Sequence, residues 1–208
     1  MLNYQTKQIT MQNIHFPVTF NFKVSTIAND FTATDSSGKT IAYVRQKMFK
    51  LKEDISVYND DTKSRLEYQI KADKWLDFST AYAFFNREGK EFGKVVRKGW
   101  KSLWKAHYEI IDQHQKQQYV INEQNPWVKV LDSLIGEIPI LNFFTGYLFN
   151  PTYIVKNNEG KEIVKLTKSK SFLGKTFEVS KVGELDNDDD DRIMLSLMMF
   201  VLLERRRG

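Results

Sequence analysis

Residues 193–203, IMLSLMMFVLL, constrain this chain more than any other stretch. They lie between a block of aspartates and a block of arginines, in DDDDRIMLSLMMFVLLERRRG, and contain neither glycine nor proline. Good helix formers dominate, so the spacing predicts a helix over 192–204. A helix that docks on a surface is apolar along one stripe, whereas this one is apolar all round except at Ser196. Such a helix has to be surrounded, either by lipid or by protein. A bilayer core about 30 Å thick calls for about 20 apolar residues, and this run has roughly half that number. Acids on one flank and arginines on the other are costly to draw into hydrocarbon. The expectation is a helix wrapped by protein, with no transmembrane segment.

The wrapping must come from the remaining chain, which reads as strands. VTFNFKV (from 18), DFTATD (30), TIAYVRQ (40), DISVYND (54), RLEYQIKA (65) and AYAFFN (81) alternate apolar with polar residues. So do FGKVVRK (92), WKAHYEII (104), QQYVIN (117), TYIVKN (152), EIVKLTK (162) and KTFEVSKV (175). Each is rich in β-branched and aromatic residues, and DSSGK, NDDTK, NREGK and NNEGK supply turn chemistry between them. No long helical pattern intervenes to make parallel crossovers, so the sheet should be antiparallel. A barrel of about eight strands is filled by its own side chains, but a larger one can enclose a helix. The predicted fold class is therefore mainly β: a closed antiparallel barrel of about twelve strands around a buried C-terminal helix. It is read as a single domain over 1–208, with an N-terminal extension at 1–15.

Residues 86–110 and 157–179 look like two copies of one unit. Glu88-Gly89-Lys90-Glu91 aligns with Glu159-Gly160-Lys161-Glu162, and Lys94-Val95 with Lys165-Leu166. A fainter copy begins at FTATDSSGKTIAYVRQK. Between the copies, 124–150 breaks the alternation. A short extra helix is predicted over 126–135, opened by Asn125-Pro126 and closed by Gly136. It is followed by the apolar stretch IPILNFFTGYLF, expected to pack in the core or at a barrel mouth.

Repeated D/N-x-x-G-K hairpins, the RKGWKSLWKAHYEI and FNPTYIVKNNEGKEIVKL segments, and a final apolar helix entered through DDR together resemble the LURP-one-related proteins. That group stands with tubby C-terminal domains and phospholipid scramblases. The likeness runs over about residues 16–204 and implies a twelve-stranded barrel around a central helix. The resemblance also implies phosphoinositide binding, as in tubby domains, or calcium-linked lipid movement, as in scramblases. The middle helix and GEIPILNFFTGYLFNP depart from the tubby pattern.

Cysteine is absent, which excludes disulfides, thiolate metal sites and thiol catalysis, and fits a reducing compartment. The opening MLNYQTKQITMQNIHF has no basic stretch followed by an apolar run, so no secretory leader is expected and a cytoplasmic location is. His15, His107 and His114 lie far apart, and no nucleotide-binding glycine loop or zinc motif is present. The chain therefore reads as a non-enzyme without a cofactor. Asp186, Asp188 and Asp190 have the spacing of a calcium loop, but Asp191 and Leu197 stand where an EF-hand needs glycine and glutamate. Asp190 or Asp191 is expected to cap the helix, with loose calcium binding by the three alternate aspartates as the alternative.

The net charge of +5 is too mild to require nucleic acid. The basic residues cluster, however. Lys94, Arg97, Lys98, Lys101 and Lys105 surround Trp100 and Trp104, and Lys168 and Lys170 belong to the matching repeat. These cations are candidates for anionic phospholipid headgroups, with Trp100, Trp104, Phe143 and Phe144 as membrane or partner contacts. The competing reading is a solvated barrel wall with the tryptophans turned inward. The expected function is a binding module, peripheral at a membrane surface. An adaptor holding a protein partner is the alternative, and scramblase-like lipid movement a third reading.

Overall fold

The computed structural model describes residues 14–23, 29–47, 54–72, 80–98, 107–124, 152–169, 176–184 and 189–205, excepting the side chains of 204 and 205. Twelve strands form, one on each alternating segment. They are β1 (Val18–Phe22), β2 (Asp30–Thr34), β3 (Thr40–Gln46), β4 (Asp54–Tyr58), β5 (Leu66–Ala72) and β6 (Thr80–Phe85). β7 (Glu91–Arg97), β8 (His107–Asp112), β9 (Gln117–Glu123), β10 (Thr152–Asn157), β11 (Glu162–Lys168) and β12 (Thr176–Lys181) follow. Every strand pairs antiparallel with its sequence neighbours, and β12 returns to β1 through Val18↔Val179 and Phe20↔Phe177, so the sheet closes into a barrel. Closure leaves no exposed sheet edge. The helix expected over 126–135 and the N-terminal extension up to residue 13 lie outside the described residues.

The up-and-down path gives the barrel two different ends. At one, which we term the hairpin end, tight turns join β2 to β3, β4 to β5, β6 to β7, β8 to β9 and β10 to β11. In the D/N-x-x-G-K turn, the leading side chain accepts the amides that the turn leaves unpaired. Asp35 Oδ1 takes the N–H of Ser37 and of Lys39, both at 3.0 Å. Asn157 Oδ1 takes those of Glu159 and Lys161 at 3.1 and 2.9 Å. The glycine sits in the left-handed region, with φ of +83°, +77° and +80° at Gly38, Gly89 and Gly160. That region is unfavourable for side chains bearing a Cβ. A fourth copy, DQHQK at 112–116, has the same hydrogen bonds from His114 and Lys116 to Asp112. It carries Gln115, φ +63°, where the others have glycine, which is why the sequence pattern missed it.

Each of the five hairpins is followed by a bulge one turn into the sheet, at Ile41, Glu67, Phe92, Gln118 and Ile163. A bulge adds a residue to one strand and bends it, which suits a curved wall. Ile41 and Phe92 pack on the core, Ile163 is buried within it, and Glu67 is buried against Arg65 and Arg87.

The lumen is filled by one helix, α1 (Asp190–Arg205). Every residue from 193 to 202 is at most 1% exposed, which is the enclosure that its all-round apolarity requires. The one hydroxyl inside, Ser196 Oγ, donates to the Arg192 carbonyl at 2.6 Å, so burying it leaves no donor unmet. Inward-facing Phe20, Phe31, Val44, Ile55, Ile70, Phe84, Val95, Ile110 and Leu166 complete the core. Toward the far end Phe200 packs edge-on against Tyr108 and Tyr153, with ring centroids 5.3 and 4.5 Å away.

The helix N-terminus is anchored at the hairpin end by side chains. The Tyr119 hydroxyl donates to Asp189 Oδ2 at 2.7 Å and the Tyr68 hydroxyl to Asp191 Oδ2 at 2.8 Å. Burial, and then the Asp191 carboxylate, push the Tyr68 phenol well above its ordinary pKa, so it remains a donor. The Ile193 amide bonds to the Asp189 carbonyl, and Asp189 also pairs with Arg192, so the cap lies one residue before the expected Asp190 or Asp191. Gly93 makes room for this pair: a Cβ there would lie 2.7 Å from Arg192 Cδ and 2.8 Å from the Ile111 carbonyl oxygen.

Candidate functional site at the loop end of the barrel

The opposite end, here the loop end, is where β1, β3, β5, β7, β9 and β11 finish and their partners begin. The helix C-terminus also arrives there. Loops held by a rigid scaffold are the usual place for binding residues. The stretches 73–79, 99–106 and 125–151, which connect strands at this end, include all four tryptophans of the chain, Trp75, Trp100, Trp104 and Trp127. These stretches lie outside the described residues.

The topology assembles charge at this rim from across the chain. The last two strand residues and their described flanks supply Arg45, Lys47, Lys71, Arg97, Lys98 and Lys168 against Asp30, Asp54 and Glu123. Asp30 and Glu123 are each 2% exposed, so they present little charge to solvent, and Asp54 is engaged by Lys47 at 3.1 Å. Lys23 is also at this end but reaches Asp61, 3.3 Å away, and both Lys23 and Lys63 lie over the Tyr43 ring. That pair is left out of the comparison of the two ends. At the hairpin end, 35–39, 65–67, 86–91, 112–116, 157–162, 184 and 189–192 hold eleven acidic against seven basic residues. The barrel is thus positive at the loop end and negative at the hairpin end.

The sequence-derived candidates divide among several positions. Lys94 lies on the outer wall beside Ala83 and Ile111. Lys98, just past β7, also faces outward and meets Glu109 at 3.1 Å. Arg97 and Lys168 differ from the outward lysines with which they were grouped. Strand alternation puts Arg97 on the face of Val95, and Lys168 on the face of Leu166, both core residues. They occupy matching repeat positions on β7 and β11 and turn toward the lumen, where the negative end of the helix dipole favours cations. Lys101, Lys105, Lys170, Trp100, Trp104, Phe143 and Phe144 lie outside the described residues. Lys47 and Lys71, which sequence reasoning did not single out, belong to the same rim; Lys71 is exposed and stands 5.0 Å over the Phe85 ring. Their only sequence signal is position, at the end of a strand that leads into the same end of the barrel.

Other candidate chemistry does not come together. His107 begins β8 at the loop end, with Nδ1 2.8 Å from Asn122 Oδ1. His15 and His114 are at the hairpin end, where the His15 carbonyl accepts the Ser36 amide and His114 lies in a turn. Asp190 forms part of the first helical turn, while Asp186 and Asp188 lie outside the described residues. Among the described residues, no three His, Asp or Glu side chains are arranged to hold a metal ion. Nor is any helix among them long and apolar enough to cross a membrane.

No protein-family model, curated protein or solved structure matches this chain.

Proposed function

We propose that this protein is a non-enzymatic binding module that contacts anionic phospholipid headgroups, phosphoinositides included, at a membrane surface. The observation that supports this reading is the loop end, where six cations meet three acids, two of them buried. Near an anionic leaflet each such cation contributes about 1 kcal/mol, so a few acting together give measurable attachment. Tryptophans in the adjoining stretches suit an interface, where an apolar ring with a polar edge is favoured.

Vesicle co-sedimentation tests the reading. Binding is expected to vesicles containing phosphatidylserine or a phosphoinositide, to be weak on phosphatidylcholine alone, and to fall as salt shortens the screening length. Equal absence of binding on all three compositions refutes it.

A further inference from the structure

Beyond the lipid reading, and resting on it, the structure carries a statement about orientation. We infer that the barrel docks end-on, with its loop end on the anionic surface, the axis of α1 close to the membrane normal, and the hairpin end turned to solvent. Two observations carry this. First, the ends have opposite sign: six basic against three acidic residues at one, eleven acidic against seven basic at the other. Seven-residue strands tilted as in closed barrels separate these ends by about 17 Å. The Debye length at physiological ionic strength is about 8 Å, so a surface at one end barely feels the charge of the other. The loop end is attracted, and a tumbling barrel that presents its hairpin end is repelled.

Second, the hairpin end is chemically occupied. Its turn side chains Asp35, Asn86, Asp112 and Asn157 accept the amides of their own turns. Glu67 is held by Arg65 and Arg87, and Asp189 by Arg192 and Tyr119. Its polar groups are committed to holding the fold. At the loop end Lys71 is exposed, and Lys47 and Lys98 bind only single carboxylates on the outer wall.

The test uses the full chain and two triple variants that each remove three positive charges. K47Q/K71Q/K98Q alters the loop end, and K39Q/K90Q/K161Q alters exposed turn lysines at the hairpin end. Affinity for phosphatidylserine vesicles is measured by co-sedimentation, and folding is checked by thermal unfolding. The loop-end variant is expected to bind roughly a hundredfold more weakly, about fivefold per lysine, the equivalent of ~1 kcal/mol each. The hairpin-end variant is expected to stay within about twofold of the parent. If the loop-end triple variant unfolds, K71Q alone carries the test, with an expected loss of about fivefold. Equal weakening by both triple variants overturns the orientation but leaves lipid binding standing. Failure of the unaltered protein to bind any anionic vesicle overturns the lipid reading itself.

Discussion

Replacing Phe200 by alanine probes the enclosure of the helix directly. The ring is fully buried, edge-on to Tyr108 at an interplanar angle of 89° and to Tyr153 at 68°. Returning a buried phenylalanine to water costs about 1.5–3 kcal/mol. Two aromatic pairs are lost as well, each contributing about 0.5–1.5 kcal/mol beyond area. Twelve hydrogen-bonded strands around the site restrict collapse into the gap, so the expected loss is about 3–5 kcal/mol, the usual range for Phe→Ala in a core. A domain is stable by only about 5–15 kcal/mol, so this is a large fraction of the total. With a urea slope of about 2 kcal/mol/M the unfolding midpoint, followed by far-UV circular dichroism, should fall by roughly 2 M. Phe200→Leu, which keeps most of the volume, should cost less than half as much. A Phe200→Ala loss below about 1 kcal/mol, with the slope unchanged, would mean that strands do not surround this face of α1, and the barrel-and-axle packing would be wrong.

Two further predictions concern the turns. Gly89→Ala should cost about 1–2 kcal/mol, because the left-handed backbone at φ +77° penalises a Cβ even though a Cβ there would meet nothing within 4 Å. Gln115→Gly should move the unfolding midpoint the other way, by up to about 1 kcal/mol, strain relief being partly offset by glycine's greater entropy when unfolded. The second follows from Asp35, whose carboxyl is held below the usual range by the Ser37 hydroxyl, helped by the Lys39 and Ser37 amides and opposed by desolvation. A carboxyl lowered in the folded state contributes stability that is complete above its unfolded pKa of about 3.9 and is lost as pH falls through the lowered value. Asp35→Asn keeps the turn, as Asn86 and Asn157 do in the other copies, but cannot titrate. Urea midpoints measured from pH 7 to pH 3 should therefore fall less steeply in the variant; parallel curves would refute the assignment.

The strands were legible because alternation is written residue by residue: VTFNF buries Val18, Phe20 and Phe22 and leaves Asn21 outside. Gly38, Gly89 and Gly160 marked their turns for a similar local reason. Strand facing was harder to read. In FGKVVRK the neighbours Val95 and Val96 are both apolar, and the bulge at Phe92 places two successive residues on one face. Which valine faces the helix, and so which way Arg97 turns, depends on pairing with β6 and β8, since a one-residue slip reverses every side chain. Lys168 could have been read, because it lies two residues past Leu166 in a regular strand. The helix anchors could not: Tyr119 and Asp189 are 70 residues apart, and Tyr68 and Asp191 are 123.

By itself, the sequence determined that twelve strands should form, that they should pair antiparallel, and that an apolar rod had to be enclosed. Those properties follow from the burial preference and backbone geometry of short local segments. Only the tertiary structure decided that Lys47, Lys71, Lys98 and Lys168 share one rim and that the two ends of the barrel carry opposite charge. Barrel closure and strand direction bring distant residues to a common end, and no local pattern encodes where a strand will finish in space.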